Sequence, residues 1–144
     1  MVRPMAVMGL VLMLLAAGCG AARGPAPGEF RYPLKQIAAP ASVTTVTLAD
    51  HGMESPFTQV VYVVRLPDGQ LLVLSGTDLT GGCTVTWDER KQVFRNPCHG
   101  ATYNMRGEVV AGPAPKGLGR FADWTGDRLL VADMTRAPVP VETR

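Results

Sequence analysis

Two short segments hold most of the residues in this chain that could do chemistry. The first reads Gly82-Cys83-Thr84-Val85-Thr86-Trp87 and the second Asn96-Pro97-Cys98-His99-Gly100-Ala101-Thr102-Tyr103. Thiolate and imidazole are soft or borderline donors that suit iron and sulfide. Asp78, Thr80 and Asn96 stand in or just before the same segments with oxygen-bearing side chains. Acid–base and phosphoryl chemistry leave no comparable signal, since no acidic pair, Ser–His arrangement or phosphate loop occurs at a recognisable spacing. A redox-active dithiol is disfavoured because Cys83 and Cys98 are not a Cys-x-x-Cys pair and neither adjoins a Lys or Arg that would lower a thiol pKa.

Taken together, the segments resemble the two cluster loops of Rieske [2Fe-2S] proteins of the cytochrome bc and arsenite oxidase type, which read Cys-x-His-x-Gly-Cys and Cys-Pro-Cys-His-Gly-Ser. The resemblance covers residues 43 to 133. Downstream it includes Tyr103, the turn at Arg106-Gly107, and Gly112-Pro113-Ala114-Pro115, which is similar to the family's proline-rich covering loop. In the family, one Cys and one His from each loop bind the cluster, and the remaining two Cys form a disulfide. Carried over residue by residue, the ligand positions fall on Asp78, Thr80, Asn96 and His99, so three are vacated and only His99 is retained. Cys83 and Cys98 fall on the disulfide pair, and Ala101 replaces a Ser whose hydroxyl bonds a cluster sulfide.

The resemblance implies an all-β fold of antiparallel sheets, with a base domain and a small inserted subdomain over about residues 76–115. Carboxamide and hydroxyl do not replace thiolate and imidazole as iron donors, so no cofactor is expected. The alternative is a [2Fe-2S] electron carrier whose iron is held by unconventional donors, either His99 and Asp78 or the two cysteines in a reduced chain. The family's geometry also brings Asp78 towards Asn96 and Thr80 towards His99, and each pair can hydrogen-bond as a polar clasp.

The N-terminus reads as a signal peptide over residues 1–18: Arg3, an apolar run over residues 5–17 broken only by Gly9, then Leu15-Ala16-Ala17-Gly18-Cys19. That run is too short to span a bilayer comfortably. The small residues before Cys19 resemble the bacterial lipobox, which makes Cys19 the site of lipidation and the domain extracytoplasmic, anchored to a bacterial membrane. With Cys19 committed to lipid, Cys83 and Cys98 remain as an even pair in an oxidising compartment. Closing their loop stabilises a fold by about 3 kcal/mol in the chain-entropy model.

One domain is expected. Lys and Arg number 14 against 12 Asp and Glu, with no basic cluster, which argues against a nucleic-acid partner. Residues 19–41 are expected to form the anchored tether, 42–134 the domain and 135–144 a tail. Alternation predicts a strand over 42–48, and apolar runs at 59–66 and 71–74 around Pro67-Asp68-Gly69-Gln70 predict a hairpin. Further hairpins are expected for 83–87 with 91–95 and for 119–124 with 128–132. No stretch after the signal has helical periodicity.

Asp78 and Asn96 could form an oxygen site for a metal, but both are also ordinary turn residues. His99 reads as a residual ligand or docking residue, or as an inherited imidazole held by a hydrogen bond. His51 reads as a loop residue with no role, residues 112–115 as a docking loop or a cover over the second loop, and Trp87 as packing. The functional expectation is a non-catalytic structural or accessory module of a membrane redox complex.

Overall fold

The computed structural model describes residues 26–142. In chain order it contains β1 (Glu29–Pro33), β2 (Ser42–Thr47), β3 (Val60–Arg65), β4 (Leu71–Ser75), β5 (Thr86–Asp88), β6 (Val93–Arg95), β7 (Thr102–Tyr103), β8 (Val109–Ala111), β9 (Gly119–Arg120), β10 (Asp123–Thr125), β11 (Leu129–Asp133) and β12 (Val139–Pro140). The described helical structure consists of two 3-10 turns, Leu34–Gln36 and Leu48–His51. The strands form three antiparallel sheets, ordered β12-β9-β4-β3-β2, β1-β11-β10 and β5-β6-β7-β8. The last of these lies within the expected insertion, and the architecture is the expected all-β one.

The hairpin β3–β4 is the spine, and its sequence explains why. Side chains alternate between the faces of a strand. Val61, Val63 and Val73 enter one core with Phe30, Phe121 and Leu130, while Tyr62, Val64, Leu72 and Leu74 enter a second core with Phe94 and Tyr103. Both faces are covered, so these strands read as continuous apolar runs instead of alternating with polar residues. The turn between them is set by Gly69 at φ +88° and by the Gln70 N–H, which donates to Asp68 Oδ1 at 2.9 Å.

The expected strand over 42–48 appears as β2, and the hairpin over 83–95 narrows to β5–β6 with Trp87 opposite Phe94. The region 119–132 differs from expectation. Gly119–Arg120 joins the five-stranded sheet, and only Asp123–Thr125 pairs with β11. Phe121, 1% exposed, is drawn into the first core at the crossing, and its N–H donates to Val73 O at 3.0 Å.

The sheets also reach past residues 42–134. β1 lies in the segment expected as a tether and pairs with β11 along its whole length, because Phe30 and Tyr32 alternate into the core. β12 lies in the segment expected as a tail and pairs with β9. No helix among the described residues is long and apolar enough to cross a membrane. Cys19 and the signal segment lie outside the described residues.

Candidate functional site

Two loops project from the ends of these strands, one between β4 and β5 and one between β6 and β7, and they share a backbone plan. In the first, the Asp78 N–H donates to Cys83 O at 2.8 Å and the Gly82 N–H to Asp78 O at 2.9 Å. In the second, the Asn96 N–H donates to Ala101 O at 2.8 Å and the Gly100 N–H to Asn96 O at 2.9 Å. Each loop needs a residue at positive φ to close, which Gly82 (φ +71°) and Gly100 (φ +77°) supply. The Cys83–Cys98 disulfide, with a Cα–Cα distance of 6.5 Å, ties the loops together.

The matching plans turn Asp78 and Asn96 inward, where they are 1% and 2% exposed. The Asn96 Nδ2 amide donates to Asp78 Oδ2 at 3.0 Å. His99 Nε2 lies 2.9 Å from the same oxygen, and the Tyr103 hydroxyl donates to Asp78 Oδ1 at 3.1 Å. The N–H groups of Thr80 and Gly81 each donate to the carboxylate at 3.1 Å. Asn96 Oδ1 accepts from the Cys98 N–H at 2.8 Å.

These contacts fix the imidazole tautomer. The Ala101 N–H points at His99 Nδ1 from 3.4 Å, which makes Nδ1 the acceptor and leaves the proton on Nε2, directed at Asp78. The close approach of Asn96 Nδ2 to His99 Nε2, 2.9 Å, is then a shared convergence on one oxygen. Burial pushes the Asp78 carboxyl upward. The hydrogen bonds from His99, Thr80, Gly81 and Tyr103 outweigh it, so the group sits below its ordinary range. Burial first, and then the Asp78 charge, push the Tyr103 phenol well above its own.

The expected approach of Asp78 to Asn96 is present in the structure. The expected Thr80–His99 bond is not: the Thr80 side chain is exposed, its backbone serves Asp78, and the imidazole turns to the carboxylate, a stronger acceptor than a hydroxyl. Tyr103 is a member of the network that sequence reasoning left unassigned. The available signal was that a buried phenol needs a partner. His51 packs edge-on against Phe30 at 6.1 Å and tilted against Tyr32 at 6.0 Å. Trp87 packs on Phe94 at 4.8 Å, as expected. Residues 112–115 lie over the second loop: a Cβ on Gly112 would stand 2.6 Å from Ala101 Cα, and Ala114 is buried.

The residues at the four ligand positions do not fit a [2Fe-2S] cluster held in the Cys2His2 manner. Asp78 and Asn96 are occupied with each other, Thr80 faces solvent, and the His99 nitrogen nearest the site carries a proton aimed at Asp78.

No family model matches the chain. Over 55 residues it is 40% identical to cytochrome b6-f complex iron-sulfur subunit 1 of Nostoc sp., a match covering 38% of this chain and 31% of that protein. Over 37 residues it is 51% identical to the chloroplastic cytochrome b6-f complex iron-sulfur subunit of Arabidopsis thaliana, covering 26% of this chain and 16% of that one. The chain thus spans less than a third of the curated relatives it matches. Among solved structures, it resembles a chain of a hyperthermophilic respiratory Complex III with a TM-score of 0.54 and 25% identity, over 83% of this chain and 82% of that one. The cyanobacterial plasma membrane Rieske protein PetC3 from Synechocystis PCC 6803 matches at 33% identity and a TM-score of 0.45, over 58% of this chain and 89% of that one.

These relatives correct one expectation. The altered ligand positions led to the reading that no cofactor belongs to this chain, yet the proteins it matches are named as iron-sulfur subunits. The physical reason is that a changed donor set speaks to how a cluster would be held, and by itself says nothing of whether a redox group is present.

Proposed function

We propose, on the premise that this chain belongs to the Rieske family, that it is an exported, lipid-anchored accessory module of a membrane redox complex. In this reading Cys19 carries the lipid, and the two loops form a docking element held by the disulfide and the clasp of Asp78, Asn96, His99 and Tyr103. The observation that carries it is the clasp, in which side chains at three of the four family ligand positions bind one another. Such a network rigidifies a loop pair without any chemical step. Asp78, Thr80 and Asn96 are then vacated ligand positions, and His99 is a retained one with a hydrogen-bonding task.

A second reading is favoured by the relatives' names: an electron carrier of the Rieske class with iron on unconventional donors. Asp78 Oδ2 and His99 Nε2, 2.9 Å apart, are the pair that would supply them.

Native gel electrophoresis of gently solubilised membranes from the producing bacterium tests the proposal. The chain should co-migrate with a haem-containing complex, and Asp78→Ala or Cys98→Ser should release it. Migration of the native chain as a free monomer in that gel would overturn the accessory role. An iron–sulfur electron paramagnetic resonance signal that is lost in His99→Ala and Asp78→Ala would establish the electron carrier instead.

A further inference from the structure

At the seam of the five-stranded and three-stranded sheets, the β3–β4 turn faces the β10–β11 hairpin across a cleft of about 520 Å³. None of the clasp residues lines it. Leu34 and Ile37 make part of its wall apolar, and Trp124, 47% exposed, offers an indole surface. The volume suits a one-ring ligand with a few placed polar groups.

Two arginines line this cleft, and they differ in one respect. Arg120 donates from Nε and Nη2 to Asp123 Oδ1 at 3.2 and 3.1 Å, so its charge is answered. Arg65 has no acidic partner among the described residues, and its Nε is buried with no acceptor. Arg65 itself is part of the cleft lining. A buried donor left unmade destabilises a fold, and a guanidinium fork is matched by a carboxylate.

We propose that this cleft binds a monocarboxylate bearing a planar apolar group, with the carboxylate on the Arg65 guanidinium and the planar group against Trp124, Leu34 and Ile37. The charge of the lining selects the valence. Arg65 leaves one positive charge unanswered, and the Asp123 carboxylate opposes a second negative charge on the ligand. Doubly charged anions such as phosphate are therefore poor ligands.

The test is a titration of the full chain with benzoate, followed by proton–nitrogen NMR at the Trp124 indole and the arginine Nε–H groups. Benzamide serves as the uncharged isostere and inorganic phosphate as the dianion. Benzoate should shift both sets of signals saturably, with a dissociation constant of about 1 mM or tighter. Benzamide and phosphate should each bind at least about tenfold more weakly. Arg65→Gln should weaken benzoate at least about tenfold while backbone signals elsewhere keep their positions. Benzamide shifts equal to those of benzoate, absence of saturable benzoate shifts, or full benzoate affinity in a folded Arg65→Gln chain would each overturn the proposal. The benzoate–benzamide comparison on the unaltered chain decides the matter even where the variant does not fold.

Discussion

A carboxylate removed from water destabilises its surroundings unless its oxygens are answered. Asp78 meets that condition with five donors: two backbone N–H groups, the Asn96 amide, the His99 imidazole and the Tyr103 hydroxyl. Removing it strands all of them at once. Asp78→Ala should therefore lower stability by about 3–5 kcal/mol in urea unfolding, the range for breaking one partner of a buried charged network. The same network makes stability depend on pH with a definite sign. The folded-state pKa of Asp78 lies below its unfolded value, so its contribution is full above about pH 4 and is lost as pH falls through the lowered value. Urea midpoints measured from about pH 6 down to about pH 2 should show this acid limb, and Asp78→Asn should blunt it. At this scale the pairing of Asp78 with Asn96 was legible, because the loop motifs place both at equivalent positions. The turn of His99 to Asp78 was not, since it depends on how deeply the imidazole sits, and spacing does not encode depth.

The two loops are one design used twice, each closed by a bond from the N–H of residue five to the carbonyl of residue one and another from the N–H of residue one to the carbonyl of residue six. Equivalent loops present equivalent side chains, which explains why Asp78 and Asn96 meet. The disulfide then holds the loops in register. Cys98→Ser should lower stability by about 2–5 kcal/mol, as for native disulfides of small exported domains, and calorimetry of both forms checks this. The covering segment is fitted as closely. Gly112 has φ +93° and approaches the Ala101 backbone too nearly for a Cβ, so Gly112→Ala should cost about 1–3 kcal/mol and disturb the second loop in amide NMR spectra. Among the elements, hairpins with strong turn residues, such as β3–β4 around Asp68-Gly69, were readable in the sequence. The split of residues 119–125 between two sheets was not. It follows from Phe121 filling a core formed by strands distant in sequence, and local alternation carries no record of that.

Across the whole molecule, the β3–β4 hairpin separates two cores, one shared with the three-stranded sheet and one shared with the loop-bearing subdomain. Tyr103 links that second core to the clasp, with its ring packed among Leu74 and Phe94 and its hydroxyl on Asp78. The fold class could be read from short alternating strands and from the loop motifs together. The participation of β1 could not, because a proline- and glycine-rich approach masks two aromatic residues that complete the first core. If Cys19 is the anchor, Cys19→Ser should move the chain from the membrane to the soluble fraction, as read by fractionation and immunoblotting. The account rests most heavily on the clasp at the family's ligand positions, and long-range proton–nitrogen NMR of the His99 imidazole in the native chain tests it most directly. The Nε2–H tautomer with a slowly exchanging, hydrogen-bonded proton is the predicted result. An Nδ1–H tautomer, or an Nε2 proton in fast exchange with water, would contradict it.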